Sequence, residues 1–226
     1  MLPGSPIPYI PSFVRALAAA CNSDHVLGGA IPASSKTLLR YQTDIAIFQD
    51  NIIRHSAVIP FGGDIVTEDV KEGCTIIKKH AEELKVKFGS ALASENRDDE
   101  VVAIPGLRGR PPKEITLKNL ASIIQARMEE IIDQVFFEIK NSGFEKKLIA
   151  GIVMTGGGSQ LKHIDQLAEF TTGMATRIGY PNEHLAKDVV EEMASPMYAT
   201  GIGLVIEGII RFDIAKIREG NLNPDD

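Results

Sequence analysis

Apolar positions in the middle of the chain recur with strand-like and helix-like periods. Ile45 and Ile47, then Ile52, Ile53, Val58 and Ile59, flank a Gln49-Asp50-Asn51 turn, which predicts a β-hairpin. Pro60-Phe61-Gly62-Gly63-Asp64 ends it, and a helix is expected from about Ile65 with Thr67, Asp69 and Val70 in its first turns. Ile76, Ile77, His80, Leu84 and Phe88 predict a second helix over residues 75–88, stopped by Gly89. After a charged turn at 95–100 comes a short strand at 101–104, and Pro105, Pro111 and Pro112 mark a loop. Thr116 then caps a long helix over 117–141. Its Leu120, Ile123, Ile124, Met128, Ile131, Ile132, Val135, Phe136 and Ile139 fall three and four apart in one stripe.

The second half begins with an apolar run at 148–154 of strand type, followed by Thr155-Gly156-Gly157-Gly158-Ser159 and a helix carrying Leu161, Ile164, Leu167 and Phe170. A strand at 176–178 follows. Ser195 caps a last helix with Pro196 at its first position, on which Gly201, Gly203 and Gly208 are expected to allow close packing. Residues 1–40 look different. Pro3, Pro6, Pro8 and Pro11 block regular structure, residues 13–21 suit a short helix, and 26–35 read as loop, so poor order is expected there.

Composition narrows the class. Of 226 residues, 44% are hydrophobic and 24% charged, the balance of a globular protein. A net charge of −6 argues against nucleic acid as a partner. Cys21 and Cys74 form neither a disulfide framework nor a zinc signature, so a reducing compartment is expected. No apolar run reaches membrane-spanning length, and Arg15 interrupts the only stretch that could resemble a signal peptide.

Three local features carry chemistry. The Gly156-Gly157-Gly158 loop between strand and helix lets a ligand approach the main chain, and suits a nucleotide beside a helix N-terminus; it also reads as a plain glycine-rich turn. Gly62-Gly63-Asp64, with Thr67 three residues on, forms another potential phosphate-facing turn, and taken alone reads better as a tight turn. Glu82 and Lys85, three apart, share a helix face; they suit a ribose and an adenine edge, or a solvated pair.

The ordered set of these pieces resembles one family. Thr43-Asp44-Ile45-Ala46-Ile47-Phe48, the stretch from Gly62 to Asp69, the segment 81–89, Thr155-Gly156-Gly157-Gly158 and Tyr198-Ala199-Thr200-Gly201-Ile202-Gly203-Leu204 look like FtsA, a family of bacterial actin-like cell-division proteins, as does Gln125-Ala126-Arg127-Met128-Glu129-Glu130-Ile131. The likeness covers about 170 residues. It implies an α/β actin-like ATPase (ribonuclease H-like) fold, second half only. Residues 42–63 and 147–213 would form subdomain IIA, 64–146 the inserted subdomain IIB, 1–41 a non-family segment and 214–226 a polar tail. It implies ATP and Mg as cofactors. Thr43 and Asp44 would end the second phosphate loop, Gly62 and Gly63 would approach phosphate or ribose, Glu82 and Lys85 would hold ribose and adenine, and Gly156, Gly157 and Gly158 would pass the adenosine. It implies the C-terminal tail of FtsZ as partner, with Arg127 a candidate contact, and self-association into filaments. The expected place is the cytoplasmic face of the inner membrane at the division site.

The sequence also departs from that pattern. Nothing in residues 1–41 resembles the family's N-terminal half, which is expected to be missing from these 226 residues. Also missing are the acidic residue and glycines normally preceding Thr43, where Ser35-Lys36-Thr37-Leu38-Leu39-Arg40-Tyr41-Gln42 stands, and the terminal amphipathic helix that reaches the membrane. Residues 1–41 are therefore expected to come from a shifted frame, an alternative start or a rearrangement. Membrane contact is expected to be indirect, and ATP binding weak or absent in this chain alone. At most a weak ATPase is expected, with no catalytic residue assigned. Two alternatives stand beside this: another ATPase of the superfold, such as a chaperone or sugar-kinase-like enzyme, for which only Asp44 and Asp64 offer carboxylates near glycine loops, and a nucleotide-free FtsZ-binding module.

Overall fold

The computed structural model describes residues 26–29, 42–49, 52–105, 111–181 and 191–218. The helix expected at 13–21 lies outside them. Among the described residues, seven strands form two sheets. The larger has the order β3-β2-β1-β6-β7, built from β1 (Val26–Gly29), β2 (Thr43–Gln49), β3 (Ile52–Ile59), β6 (Ile152–Thr155) and β7 (Thr176–Ile178). The smaller pairs β4 (Val101–Ile104) with β5 (Lys113–Thr116). The α-helices of the described residues are α1 (Gly63–Gly73), α2 (Lys78–Phe88), α3 (Leu117–Asn141), α4 (Ile164–Thr172) and α5 (Ala199–Arg218).

The β2–β3 hairpin forms as its alternation predicts, with a register shift between Ile47 and Phe48. Ile45, Ala46, Ile47 and Phe48 are all buried, so β2 is covered on both faces. Its other neighbour is a correction to the sequence reading. Val26–Gly29 is not loop but a strand, antiparallel to β2 (Leu27 opposite Ala46) and parallel to β6 (Leu27 opposite Val153). Glycine and proline content suggested a loop; pairing to two neighbours at once overrides that local preference.

Helix α3 forms over the expected residues, and the Thr116 hydroxyl accepts from the Asn119 amide at its start. It is about 37 Å long at 1.5 Å per residue and serves two cores. Leu120, Ile124, Met128, Ile131 and Ile132 pack with Val66, Val70 and Leu84 from α1 and α2 and with Ile164 and Leu167 from α4. One turn on, Val135 and Ile139 pack on Ile45, Ile47, Ile59 and Ile152 of the large sheet. A single helix thus ties the small β4–β5 sheet and its helices to the large sheet.

Four more expectations shift. The run at 148–154 yields strand only from Ile152, because Gly151 turns the chain at φ +80° and Ile149 points outward, 94% exposed. The second helix starts at Lys78 rather than near Thr75. Phe170, one of the apolar residues expected along α4, is exposed, unlike Ile164 and Leu167. Gly201 and Gly208 face open space, so close packing is not what they provide on α5.

Candidate nucleotide-facing site

The base of the hairpin sets the first part of the site. Thr43 opens β2, and its hydroxyl donates to the Phe61 carbonyl at 2.7 Å, fixing the chain just ahead of Gly62 and Gly63. Gly63 begins α1. A side chain there would reach to 3.7 Å from the Lys85 ammonium.

Lys85 comes from α2 and reaches across to α1. Its Nζ lies 2.8 Å from the Gly63 carbonyl and 2.7 Å from the Thr67 hydroxyl, and pairs with Glu82 Oε2 at 2.7 Å. An ammonium has three N–H donors, and three acceptors meet them. The Thr67 hydroxyl in turn lies 2.5 Å from Glu82 Oε2, and Thr67 is fully buried. Glu82 and Lys85, expected to face a ligand together, are therefore brought together with Gly63. The buried Thr67 belongs to the same group. Sequence reasoning set Thr67 beside the Gly62-Gly63-Asp64 turn as part of a potential phosphate-facing feature, but did not pair it with Glu82 and Lys85, because they sit on another helix.

Beside this lies a second ionic group. Lys78 pairs with Asp64 at 2.9 Å and with Glu68 at 2.7 Å, and Lys71 also binds Glu68 at 2.7 Å. Lys71 first, then Lys78, pushes the Glu68 carboxyl down to about 2. At the hairpin base Asp44 is buried, with Gln42 Nε2 donating to it at 3.1 Å. Burial pushes its carboxyl up to about 6, against the smaller opposing effect of Gln42.

The glycine loop forms the other part. Thr155 ends β6 and donates to the Gly179 carbonyl at 3.0 Å. Gly156 adopts φ +89°, which only glycine takes easily, and its amide donates to the Pro196 carbonyl at 3.1 Å. The Ser159 hydroxyl donates back to the Gly156 carbonyl at 2.8 Å. Gln160 bonds Ser195, whose own hydroxyl accepts from the Met197 amide at 3.4 Å. Gly157 and Gly158 differ: neither takes a positive φ, and a Cβ on either would meet nothing within 4 Å. The loop runs into a 3-10 turn, Gly157–Gln160, and α4 starts only at Ile164. The expectation that a helix N-terminus directly follows the glycines is corrected: the amides nearest the loop belong to the tight turn.

The two parts are stitched together. Ser90 bridges Lys162, the Ala91 amide donates to the Lys162 carbonyl at 2.8 Å, and the Lys162 amide donates to the Gly89 carbonyl at 3.3 Å. Gly89 must be glycine here, since a Cβ would sit 2.7 Å from Leu161 Cδ2 and closer still to the Lys85 carbonyl. The helix bearing Glu82 and Lys85 thus ends against the chain leaving the glycine loop.

Arg127 lies elsewhere, on the α1–α3 face. Its guanidinium grips Asp69 with two contacts, at 2.5 and 3.1 Å, and Glu130 with a third at 2.5 Å. The pull of Asp69 raises its pKa further. It clamps two helices.

An α/β sheet of this order is a known arrangement. MreB 5 of Spiroplasma citri, solved bound to AMPPNP, superposes with a TM-score of 0.69 at 18% identity over 93% of this chain and 61% of that one. The PilM-PilN type IV pilus biogenesis complex gives 0.59 at 16% identity, over 88% and 50%. The fold is therefore that of the actin-like ATPases, of which this chain covers part. The family model described as Cell division protein FtsA matches residues 41–203. FtsA of Pseudomonas aeruginosa is 38% identical over 167 residues, 74% of this chain, and that of Escherichia coli 35% identical over 173. The chain belongs to the FtsA family of cell-division proteins. It spans about 40% of the length of these curated relatives, and the match disfavours the chaperone and sugar-kinase alternative.

Proposed function

We propose that this chain forms the adenosine-side wall of an FtsA-type ATP cleft, and serves as part of an actin-like scaffold that joins the FtsZ ring to the membrane. The observation that carries the nucleotide reading is the pair Gly157 and Gly158. Neither backbone angle nor packing calls for glycine there, whereas a ligand lying on the main chain does. Gly62, Gly63, Glu82 and Lys85 form the facing group, and Gly156 sets the turn. The residues fit a nucleoside better than they fit a metal: the Thr43 hydroxyl bonds Phe61, the Asp44 carboxyl is buried with Gln42, and Asp64 is paired with Lys78. The 226-residue chain on its own is expected to bind ATP weakly, since the residues named here contact one side of the nucleotide.

Titration of the chain with Mg-ADP, followed by NMR, tests this. Millimolar binding with shifts at residues 156–160 and 82–85 is expected. Gly157→Val abolishes them while leaving the unfolding free energy within about 1 kcal/mol, since the added side chain points into open space. Shifts elsewhere, or none, sink the nucleotide reading, and micromolar affinity sinks the one-wall reading. The partner side rests on the α1–α3 surface around Arg127, and loss of FtsZ-tail peptide binding in Arg127→Ala is the expected result.

A further inference from the structure

Thr67 occupies a position that the nucleotide reading alone does not require. Its hydroxyl touches both halves of the Glu82–Lys85 pair from a second helix: it accepts from Lys85 Nζ at 2.7 Å and lies 2.5 Å from Glu82 Oε2, which Lys85 also contacts at 2.7 Å, and it is 3.1 Å from the Gly63 carbonyl one turn back. The three groups close a ring of polar contacts, and the ring is anchored to α1 through the Gly63 carbonyl. A pair three residues apart on one helix is held only weakly by its own attraction. Long side chains of this kind otherwise sample many rotamers, and ordering them on binding costs affinity. Thr67 is fully buried, whereas the Glu82 and Lys85 side chains are 36% and 13% exposed, so a fixed hydroxyl below positions two groups that open toward the surface.

We propose that Thr67 is a positioning residue that presents Glu82 and Lys85 as one pre-set unit to the sugar and base of a nucleotide. The role rests on the nucleotide reading above. A carboxylate held still by Thr67 discriminates for a sugar hydroxyl in one place; a carboxylate free to swing engages it, or water, with little preference.

The test uses the whole 226-residue chain as wild type, Thr67→Val and Thr67→Ser. Valine keeps the shape of threonine and removes the hydroxyl's contacts to Lys85, Glu82 and the Gly63 carbonyl; serine keeps all three. The first readout needs no nucleotide. Acetylation of Lys85, followed by mass spectrometry, is expected to run about tenfold faster in Thr67→Val and within about twofold of wild type in Thr67→Ser, the scale of one charge-assisted hydrogen bond. Lys113, which donates to the Cys74 carbonyl in the same molecule, is the internal control and keeps its rate. The second readout compares ADP with 2′-deoxyADP by NMR titration. Thr67→Val is expected to weaken ADP binding about tenfold and to bring the ratio of the two affinities close to one, while Thr67→Ser keeps both.

Equal Lys85 rates in wild type and Thr67→Val overturn the proposal. So does faster Lys85 labelling with unchanged ADP affinity and sugar preference, which leaves Thr67 a purely structural contact. If Lys113 accelerates together with Lys85, the variant has loosened as a whole, and the Thr67→Ser comparison decides. No ADP response in wild type overturns the nucleotide reading and this role with it, while the Lys85 rates still report whether Thr67 orders the pair.

Discussion

At the scale of single residues, buried and paired charges make the sharpest predictions. Asp44 is 5% exposed, and its carboxyl is raised from 3.8 to about 6. The folded protein therefore keeps a proton that the unfolded chain has lost between those values. Stability falls as pH rises through this window and levels off above it, by about 3 kcal/mol at most. Asp44→Asn removes the dependence. Urea unfolding should show variant and wild type alike near pH 4, with the variant more stable by up to that amount above pH 6; a constant gap at all pH values refutes the assignment. The Arg127–Asp69 clamp is partly buried and two-pronged. A double-mutant cycle with alanine at both positions should give a coupling of about 1–2 kcal/mol, more than an exposed pair. These residues also show what sequence reveals. The glycine loop and the Glu82–Lys85 spacing were legible because their signal is local. The pairing of Thr67 with Glu82 and Lys85 was not, since it shows only once α2 is laid against α1, and Arg127, read as a candidate partner contact or solvated surface, gave no sign of Asp69.

At the scale of elements, strong periodicity was legible and short irregular pieces were not. Helix α3 followed from its stripe and its threonine cap over its full length. Strand β5 was missed because Lys113 and Glu114 are exposed and polar, leaving Ile115 as its one buried apolar residue. The start of β6 was misplaced because apolar content at 148–151 masked the turn at Gly151. That glycine is strictly required: at φ +80°, a Cβ would lie far inside van der Waals contact with the Ala175 carbonyl oxygen. Gly151→Ala should cost more than about 2 kcal/mol in chemical unfolding, by forcing β6 and β7 apart at their start. An unfolding midpoint unchanged by the substitution contradicts this geometry.

At the scale of the whole molecule, the fold class and the family were both legible in the order of motifs, but the surface was not. Helix α5 leaves Leu204, Val205, Ile209, Ile210 and Phe212 exposed, with Val205 at 62% and Phe212 at 59%. An apolar face of this extent promotes association. The chain should sediment as concentration-dependent oligomers, and Ile209→Glu with Phe212→Glu should shift it toward monomer; oligomers that persist unchanged in the double variant show that another surface drives them. The placement of β1 bears on how such a molecule assembles in time. Val26–Gly29 must find β6, a parallel partner far along the chain, before the middle of the large sheet closes. The hairpin β2–β3 forms from neighbours in microseconds, but that seam waits for distant pairing, and distant pairing is slow. During synthesis β1 leaves the ribosome long before β6 is made, so the nascent β1–β2–β3 set spends that interval with the β6-facing edge of β1 open. The period between those two events is when chaperone engagement or misassembly is decided.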